Sequence, residues 1–472
     1  MLRRTKIVAT LGPASDSRQV IERLIDAGLN VVRLNFSHGD HASHRATIRL
    51  VRQVAQEKGR TIAILQDLAG PKIRLGELPE GGIELEPGQE VWLAGGRETT
   101  EEGVIPVNYP YLCQDVVEGE RILLADGLVE LSVVEVQEGR LRCRVLVGGM
   151  LTSRKGVNLP ASNLRVPSFT DKDRADLEVG LEEGVDLVAL SFVRHEDDLA
   201  EARERLNQVD DPPLLIAKIE KPQAVQRLNQ ILAQVDGVMV ARGDLGVEMR
   251  LEEVPLIQKR IIRLAQRAGK PVITATQMLR SMMESPRPTR AEAADVANAV
   301  LDGTDALMLS DETAVGSYPV ESVATLDRIA RVTERALPRI SPAELASTEL
   351  IPATEGAISH AACTLAEELD CAAIVAGTSS GSSARMVARF RPAAPIIALT
   401  PNPVVQRQLA LSWGVVPVLT RLMSDAEELF QRAEREARSW GLAGKGDRLV
   451  ITAGVPMGVP GSTNLVKVID LA

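Results

Sequence analysis

Residues 214–244 read LLIAKIEKPQAVQRLNQILAQVDGVMVARGD, and the change of period inside this stretch decides the fold. Residues 214–220 form a short apolar run. Pro222 then suits the first turn of a helix, and Val225, Leu228, Ile231 and Leu232 recur at helical spacing before residues 237–244 turn apolar again. The stretch predicts strand, helix, strand. Each strand ends in charge or glycine: Lys218 and Glu220 on the first, Arg242, Gly243 and Asp244 on the second.

Working outward, the same signature recurs at residues 6–12, 30–37, 61–67, 187–192, 271–278 and 306–310, which gives eight candidate strands, most of them followed by an amphipathic segment. Eight such units predict a closed parallel barrel. The rhythm breaks between about Gly70 and Val166, where alternation such as Val91-Trp92-Leu93 and glycine punctuation read as β-structure alone. After the eighth strand, a long helix over 320–336 and a stretch marked by Pro338, Pro342 and Pro352 lead into a new α/β pattern, with strands over 372–376, 395–400 and 448–453. The fold class is therefore α/β: a (β/α)8 TIM barrel over 1–69 and 166–338, an inserted small β-barrel lid over 70–165, and a C-terminal α/β regulatory domain over 339–472. The insert leaves and re-enters where the third strand ends, so it is placed to cover that rim.

A chain of 472 residues with 45% hydrophobic content can bury more than one core. Its net charge of −10 argues against a nucleic-acid binder but leaves room for a local basic pocket that takes small anions. Cys113, Cys143, Cys363 and Cys371 are scattered without zinc spacing and read as reduced thiols. No apolar stretch is long enough to span a bilayer, and the expectation is a cytoplasmic protein.

In barrels of this kind, working residues sit at the C-terminal ends of strands. Here those ends carry Arg33, Asn35, Ser37 and His38; Asp67 with Lys72 and Arg74; Lys218 and Glu220; Gly243 and Asp244; Thr274, Thr276 and Gln277; and Ser310 with Glu312. Lys218 and Glu220 are two apart and share a face. Glu220 and Asp244 offer two oxygen ligands with room for water and substrate, which suits magnesium. The same carboxylates also fit an ion-pair belt that braces the rim, and spacing leaves both readings open. Arg33, Arg74 and Lys218 add fixed positive charge, and Gly243 lets backbone N–H groups approach an anion. His38, His41 and His44 are spaced by threes, a weak metal signal, and a phosphate-binding P-loop motif is absent.

Longer motifs then carry a resemblance. TKIVATLGPAS (5–15), NVVRLNFSHG (30–39), DLAGPKIR (67–74), IAKIEKPQAV (216–225), VMVARGDLGVE (238–248) and PVITATQMLRSM (271–282) with PRPTRAEAADVANAVLDGTDALMLS (286–310) resemble the pyruvate kinase family, in its bacterial type without an extra C-terminal domain. The resemblance implies a glycolytic enzyme that moves the phosphoryl group of phosphoenolpyruvate to ADP, giving pyruvate and ATP, with Mg2+ or Mn2+ and as a homotetramer. It implies Glu220 and Asp244 as metal ligands; Lys218, Arg33, Thr276 and Ser310 as catalytic residues; and Gly243, Asp244 and Thr276 as the substrate-carboxylate cradle, with Arg33 and Lys218 on the phosphate. Asn35, His38 and Arg74 fall to the nucleotide. A water or relay near Thr276 and Ser310 would protonate the enolate.

Asn35, Ser37, Asp67 and the Leu68 backbone resemble a potassium pocket, but Lys72 stands where potassium-dependent relatives have a glutamate. A tethered ammonium can supply the ion's charge, so Lys72 is expected to fill the pocket and K+ is not required. Two departures are Asp311, where a small residue is usual, and Asp126, which stands alone where relatives show paired aspartates. The turn Thr378-Ser379-Ser380-Gly381-Ser382-Ser383 resembles a site for a phosphorylated allosteric effector, or simply caps a helix. With no lysine or arginine in it, AMP or a sugar monophosphate fits as well as fructose 1,6-bisphosphate. Two other functions stay open on the residues alone: a magnesium-dependent barrel lyase or aldolase, and a non-catalytic homologue that binds phosphoenolpyruvate. No nucleic-acid or membrane partner is expected.

Overall fold

A computed structural model describes residues 2–96, 103–162, 164–337, 350–457 and 463–472. Eight parallel strands, Lys6–Thr10, Val31–Asn35, Ala63–Asp67, Leu187–Leu190, Leu214–Ile219, Gly237–Ala241, Val272–Ala275 and Ala306–Leu309, close into a barrel. The first strand pairs with the eighth, Lys6 lying opposite Ala306. Alternation sorts the side chains. Val8, Val31, Leu65, Ile216, Met239 and Ile273 fill the interior, while Ile7, Val32, Ile64, Val188, Leu215 and Val238 pack outward against the helices. Arg33, between Val32 and Leu34, therefore points inward, as its neighbours predict.

The helices start where polar residues can satisfy their first N–H groups. Asp40 caps His41–Glu57, Thr170 and Asp173 form a capping box on Asp171–Glu182, and Thr289 and Glu292 do the same for Arg290–Leu301. The helix expected after the fifth strand is split into Pro222–Gln226 and Leu228–Gln234, because Arg227 at φ −99°, ψ 21° leaves helical geometry. The long helix after the barrel is Pro319–Thr333, and the boundary placed at 338/339 lies outside the described residues.

The insert is a curled half-barrel. Its six strands run in the order Val157–Asn158, Arg121–Leu124, Val129–Gln137, Arg140–Val147, Glu90–Gly95 and Val104–Val107, beside a two-stranded pair, Ile83–Leu85 with Gly149–Leu151. It has its own core, including Leu93, Val107, Ile122, Leu131 and Leu141. Gly70 marks one hinge. Its φ of 63° is left-handed, a Cβ there would stand 2.8 Å from Phe192, and its N–H is held by Asp173 Oδ1 at 3.1 Å. At the other hinge, Arg194 donates to the carbonyls of Leu164 and Val166.

The C-terminal sheet has five strands, not the three expected, in the order Val415–Leu419, Ile396–Thr400, Ala373–Gly377, Arg448–Gly454 and Thr463–Asp470, the last antiparallel. This domain is bolted to the barrel base by buried carboxylates. Asp186 pairs with Arg407 as well as with Arg52 of the barrel, and Asp305 with Arg391 and the Trp413 N–H.

Candidate active site

At the barrel mouth the strand-end charges form one connected set. Arg33 Nε donates to Asp67 Oδ2 at 2.6 Å and its Nη1 to Thr10 Oγ1 at 2.9 Å. The Lys218 ammonium lies 3.4 Å from Asp67 and 2.8 Å from Glu220 Oε1, and donates to Ser191 Oγ at 2.8 Å. Ser191 in turn donates to the Leu68 carbonyl at 2.7 Å, and the Phe192 N–H donates to Glu220 Oε2 at 2.8 Å.

Burial makes these charges interdependent. Burial would lower the Lys218 pKa, but Asp67, Glu220 and Asp244 outweigh it and raise it, so the side chain stays an ammonium. Burial would raise Asp67, and Lys218 with Arg33 instead hold it below the usual carboxylate range. Glu220 is only 1% exposed. Its pKa is raised, by burial first and also by the like charge of Asp244, with Lys218 and the Phe192 N–H pulling the other way.

A buried carboxylate with raised pKa beside the half-buried carboxylate of Asp244 makes a donor pair suited to a divalent cation. Asp244 has no hydrogen-bond partner among the described residues and lies on the wall of the cleft between lid and barrel. Among the described residues no group of three or more His, Cys, Asp or Glu could hold a metal. Two oxygen donors alone would suit an ion that takes its remaining ligands from water and substrate.

Thr276 and Gln277 follow the seventh strand with φ of 70° and 53°. The turn lets Thr276 Oγ1 accept from the Gly243 N–H at 2.7 Å while the hydroxyl donates to the Ala275 carbonyl at 2.7 Å, so the two groups expected to cradle the carboxylate are bonded to protein atoms in this structure. Ser310 ends the eighth strand, its N–H held by Glu312 Oε2 at 2.8 Å. His38 is exposed at the same mouth. Its pKa is lowered by burial of the ring and then by Lys72, Arg74 and Arg33, against a smaller opposing pull from Asp311. Arg74 donates to the Arg154 carbonyl of the lid at 2.9 Å, and Asp126 and Lys155 face the same cleft of 440 Å³. Asn35 accepts from the Ser37 N–H at 3.1 Å.

Lys72 is the residue expected to fill the monovalent-cation pocket. It is exposed on the cleft wall, and among the described residues its ammonium makes no hydrogen bond to Asn35, Ser37, Asp67 or Leu68. Within that pocket Arg33 and Lys218 pair with Asp67, and Ser191 donates to the Leu68 carbonyl. The surrounding protein lowers the Lys72 pKa, Lys218 and Arg74 lower it further, and Asp244 and Asp67 pull the other way. The three histidines do not converge either. His41 pairs with Asp176 at 2.7 Å, while His44 stacks on Phe36 and donates to the His38 carbonyl.

Sequence reasoning passed over Ser191, which links Lys218 to the third strand, although its place at the end of the fourth strand was the available signal. It also passed over Lys221, Glu248 and Asn158. Lys221 pairs with buried Glu248 at 2.5 Å, and Asn158 of the lid donates to the same Glu248 oxygen at 2.8 Å. In the C-terminal domain, Gly381 is the N-cap of the helix that follows the Thr378–Ser383 turn, and Ser380 Oγ accepts from the Ser382 N–H at 3.4 Å. Thr378 Oγ1 accepts from the Gly381 N–H, Ser382 donates to buried Glu355, and Ser383 bonds Thr463. Arg385, buried beneath the turn, donates to the Ser380 carbonyl at 3.1 Å.

Comparison with known proteins agrees with this geometry. The family model described as pyruvate kinase, barrel domain, matches residues 2–323, and that described as pyruvate kinase, alpha/beta domain, matches 356–469. Pyruvate kinase 2 of Synechocystis is 50% identical over 99% of this chain and 79% of its own length. Pyruvate kinases of Geobacillus stearothermophilus and Methylorubrum extorquens are 49% and 47% identical over 99% of this chain, covering 80% and 97% of theirs. A crystal structure of a pyruvate kinase from Cryptosporidium parvum superposes with a TM-score of 0.94 at 36% identity, covering 100% of this chain and 96% of the other. The lyase and the non-catalytic binder do not survive identity of this extent. The chain belongs to the pyruvate kinase family and has pyruvate kinase activity.

Proposed function

We propose that phosphoryl transfer from phosphoenolpyruvate to ADP runs at the Arg33–Asp67–Lys218–Glu220 cluster. The observation that carries this is the unbroken chain of contacts from Arg33 through Asp67 and Lys218 to Glu220 beneath the lid. Glu220 and Asp244 hold the divalent ion, which supplies charge for the substrate's oxygens when bound. Arg33, fixed through Nε and Nη1, leaves Nη2 for the phosphoryl group. Lys218 supplies fixed positive charge as the enol oxygen–phosphorus bond breaks and a bond forms to an ADP β-phosphate oxygen. The Gly243 and Asp244 N–H groups and the Thr276 hydroxyl orient the carboxylate, and Asn35, His38 and Arg74 take the nucleotide. The remaining enolate gains its proton at carbon from the side of Thr276 and Ser310. A coupled assay tests the scheme: pyruvate must appear only with ADP and a divalent ion both present, and ADP-independent release would refute it.

Lys72, standing on the cleft wall, supplies to the Asn35–Ser37–Asp67–Leu68 pocket the charge that a monovalent cation would bring. Activity in buffer free of potassium and ammonium should stay within about twofold of that with potassium, and near-complete loss sinks the assignment. The Thr378–Ser383 turn, with Arg385 beneath it, is the site of a phosphorylated effector. Titrating rate with AMP, ribose 5-phosphate and fructose 1,6-bisphosphate, with Ser380→Asp as the repelling variant, checks it. A homotetramer, read by light scattering as four chain masses, and a cytoplasmic setting complete the reading. Among the described residues no helix is long and apolar enough to cross a membrane.

A further inference from the structure

Two consecutive residues without glycine's freedom, Thr276 at φ 70° and Gln277 at φ 53°, stand in the left-handed region at the end of the seventh strand. For a β-branched threonine this is a strained conformation that persists only if the surroundings hold it. One side chain does so. The Arg242 guanidinium donates through Nη2 to the Thr276 carbonyl at 2.7 Å and through Nε to the Ala275 carbonyl at 3.2 Å. Its Nη1 reaches both carboxylate oxygens of Asp295, at 2.8 and 2.7 Å. Asp295 lies on the helix Arg290–Leu301, so the helix after the seventh strand fixes an arginine from the end of the sixth, and that arginine fixes the turn between them. The next residue after Arg242 is Gly243, whose N–H meets Thr276 Oγ1 at 2.7 Å.

We propose that Arg242 and Asp295 are positioning residues that hold the strained Thr276–Gln277 turn, and through it the Thr276 hydroxyl, in register with the Gly243 N–H for binding the carboxylate of phosphoenolpyruvate. The inference rests on the cradle assignment of Gly243 and Thr276. Neither positioning residue needs to touch substrate. Arg242 is suited to the task because its planar fork bonds two carbonyls and a carboxylate at once, which a lysine cannot do. Loosening the clamp lets the turn relax toward ordinary backbone angles and carries the hydroxyl away from Gly243, so the loss falls on the substrate whose carboxylate sits there.

The test is steady-state kinetics on the full-length protein. Asp295→Ala should raise KM for phosphoenolpyruvate about tenfold, with KM for ADP within about twofold. Gln277 is exposed and lies outside the cradle. Gln277→Gly in the Asp295→Ala background should recover a large part of the loss, because glycine takes a left-handed φ without strain. A merely structural role predicts that both KM values move together and that the glycine rescues nothing, and either result overturns the proposal. If Asp295→Ala does not fold, Arg242→Lys carries the same two readouts. Thr276→Ala separates the two levels of the argument. If it leaves KM for phosphoenolpyruvate unchanged, the cradle assignment falls and the clamp with it. If it raises that KM while the clamp variants do not, only the clamp is refuted.

Discussion

Lys6 offers a quantitative test of the junction between barrel and C-terminal domain. It is 7% exposed at the base of the first strand, and its ammonium donates to the Val415 carbonyl of the C-terminal sheet at 2.7 Å. Burial pushes its pKa from 10.5 down to about 7, Arg3 pushes it further, and Glu334 and Asp305 only partly oppose. Between those values the unfolded chain holds a proton that the folded chain lacks, so stability contributed by this group rises with pH. The penalty is fully present below pH 7 and disappears as pH approaches 10.5. At pH 7 it amounts to about 4 kcal/mol, falling by about 1.4 kcal/mol per pH unit. Lys6→Met removes the penalty and loses the bond to Val415, worth about 1 to 2 kcal/mol with the stranded carbonyl included. The variant should therefore be roughly 2 to 3 kcal/mol more stable at pH 7, the advantage vanishing near pH 9 and reversing above it. Urea unfolding of both proteins at half-unit steps from pH 7 to 10 reads the difference directly. A difference that does not change with pH would refute the reasoning, because it would mean that Lys6 titrates alike in both states.

Glu220→Gln keeps the side chain's shape and its hydrogen bond to the Phe192 N–H but removes the charge that faces the metal, so kcat should fall by roughly 10² to 10³ with the thermal midpoint little changed. Asn158→Ala removes a lid-to-barrel bond to a buried carboxylate, worth about 1.5 to 3 kcal/mol, and should raise KM for both substrates together while leaving kcat at saturation nearly intact. Lys221→Met leaves Glu248 buried without its cation and should cost about 3 to 5 kcal/mol in urea, most of it regained in Lys221→Met/Glu248→Leu.

The barrel was legible because each of its strands is short and largely apolar and ends in, or is followed at once by, a polar residue, and closure follows from repeating that unit eight times. The convergence of Arg33, Lys218 and Glu220 was legible for the same reason: residues two apart on an inward-facing strand share a fate. The missed C-terminal strands lacked that signature. Val415–Leu419 carries Pro417, which is tolerated there because the strand lies at the sheet edge, and Thr463–Asp470, at the other edge, shows little burial contrast between its faces. Lys72 shows what spacing omits. The pocket beside it has its carboxylate, Asp67, met by Arg33 and Lys218, which come from strands far away in sequence. His38, His41 and His44 had one spacing and found three different surroundings. Arg242 was visible as a charge at a strand end, but its work depends on the backbone angles of Thr276 and on Asp295, which no local pattern announces.

The way the three domains are joined separates two kinds of defect. Asp186 and Asp305 tie the C-terminal domain to the barrel base through buried charges, so the two share one frame. The lid has a core of its own and meets the barrel through its hinges at Gly70 and Arg194 and through the Asn158–Glu248 bond. A unit with its own core and few bridging bonds can move as a body at low cost. Arg33, Asp67, Lys218, Glu220, Asp244 and Thr276 all sit on the barrel. Displacing the lid therefore changes who enters the cleft and how much water stays, without changing the distances among the charges that act on the phosphoryl group. This is why Asn158→Ala belongs to KM and Glu220→Gln to kcat. If Asn158→Ala instead lowered kcat at saturating substrate as far as Glu220→Gln does, the lid would have to contribute a group to the chemistry beyond Lys72 and Arg74, which stand beside its Gly70 hinge. Asp126, on the lid and facing the cleft, would then be the residue to substitute next.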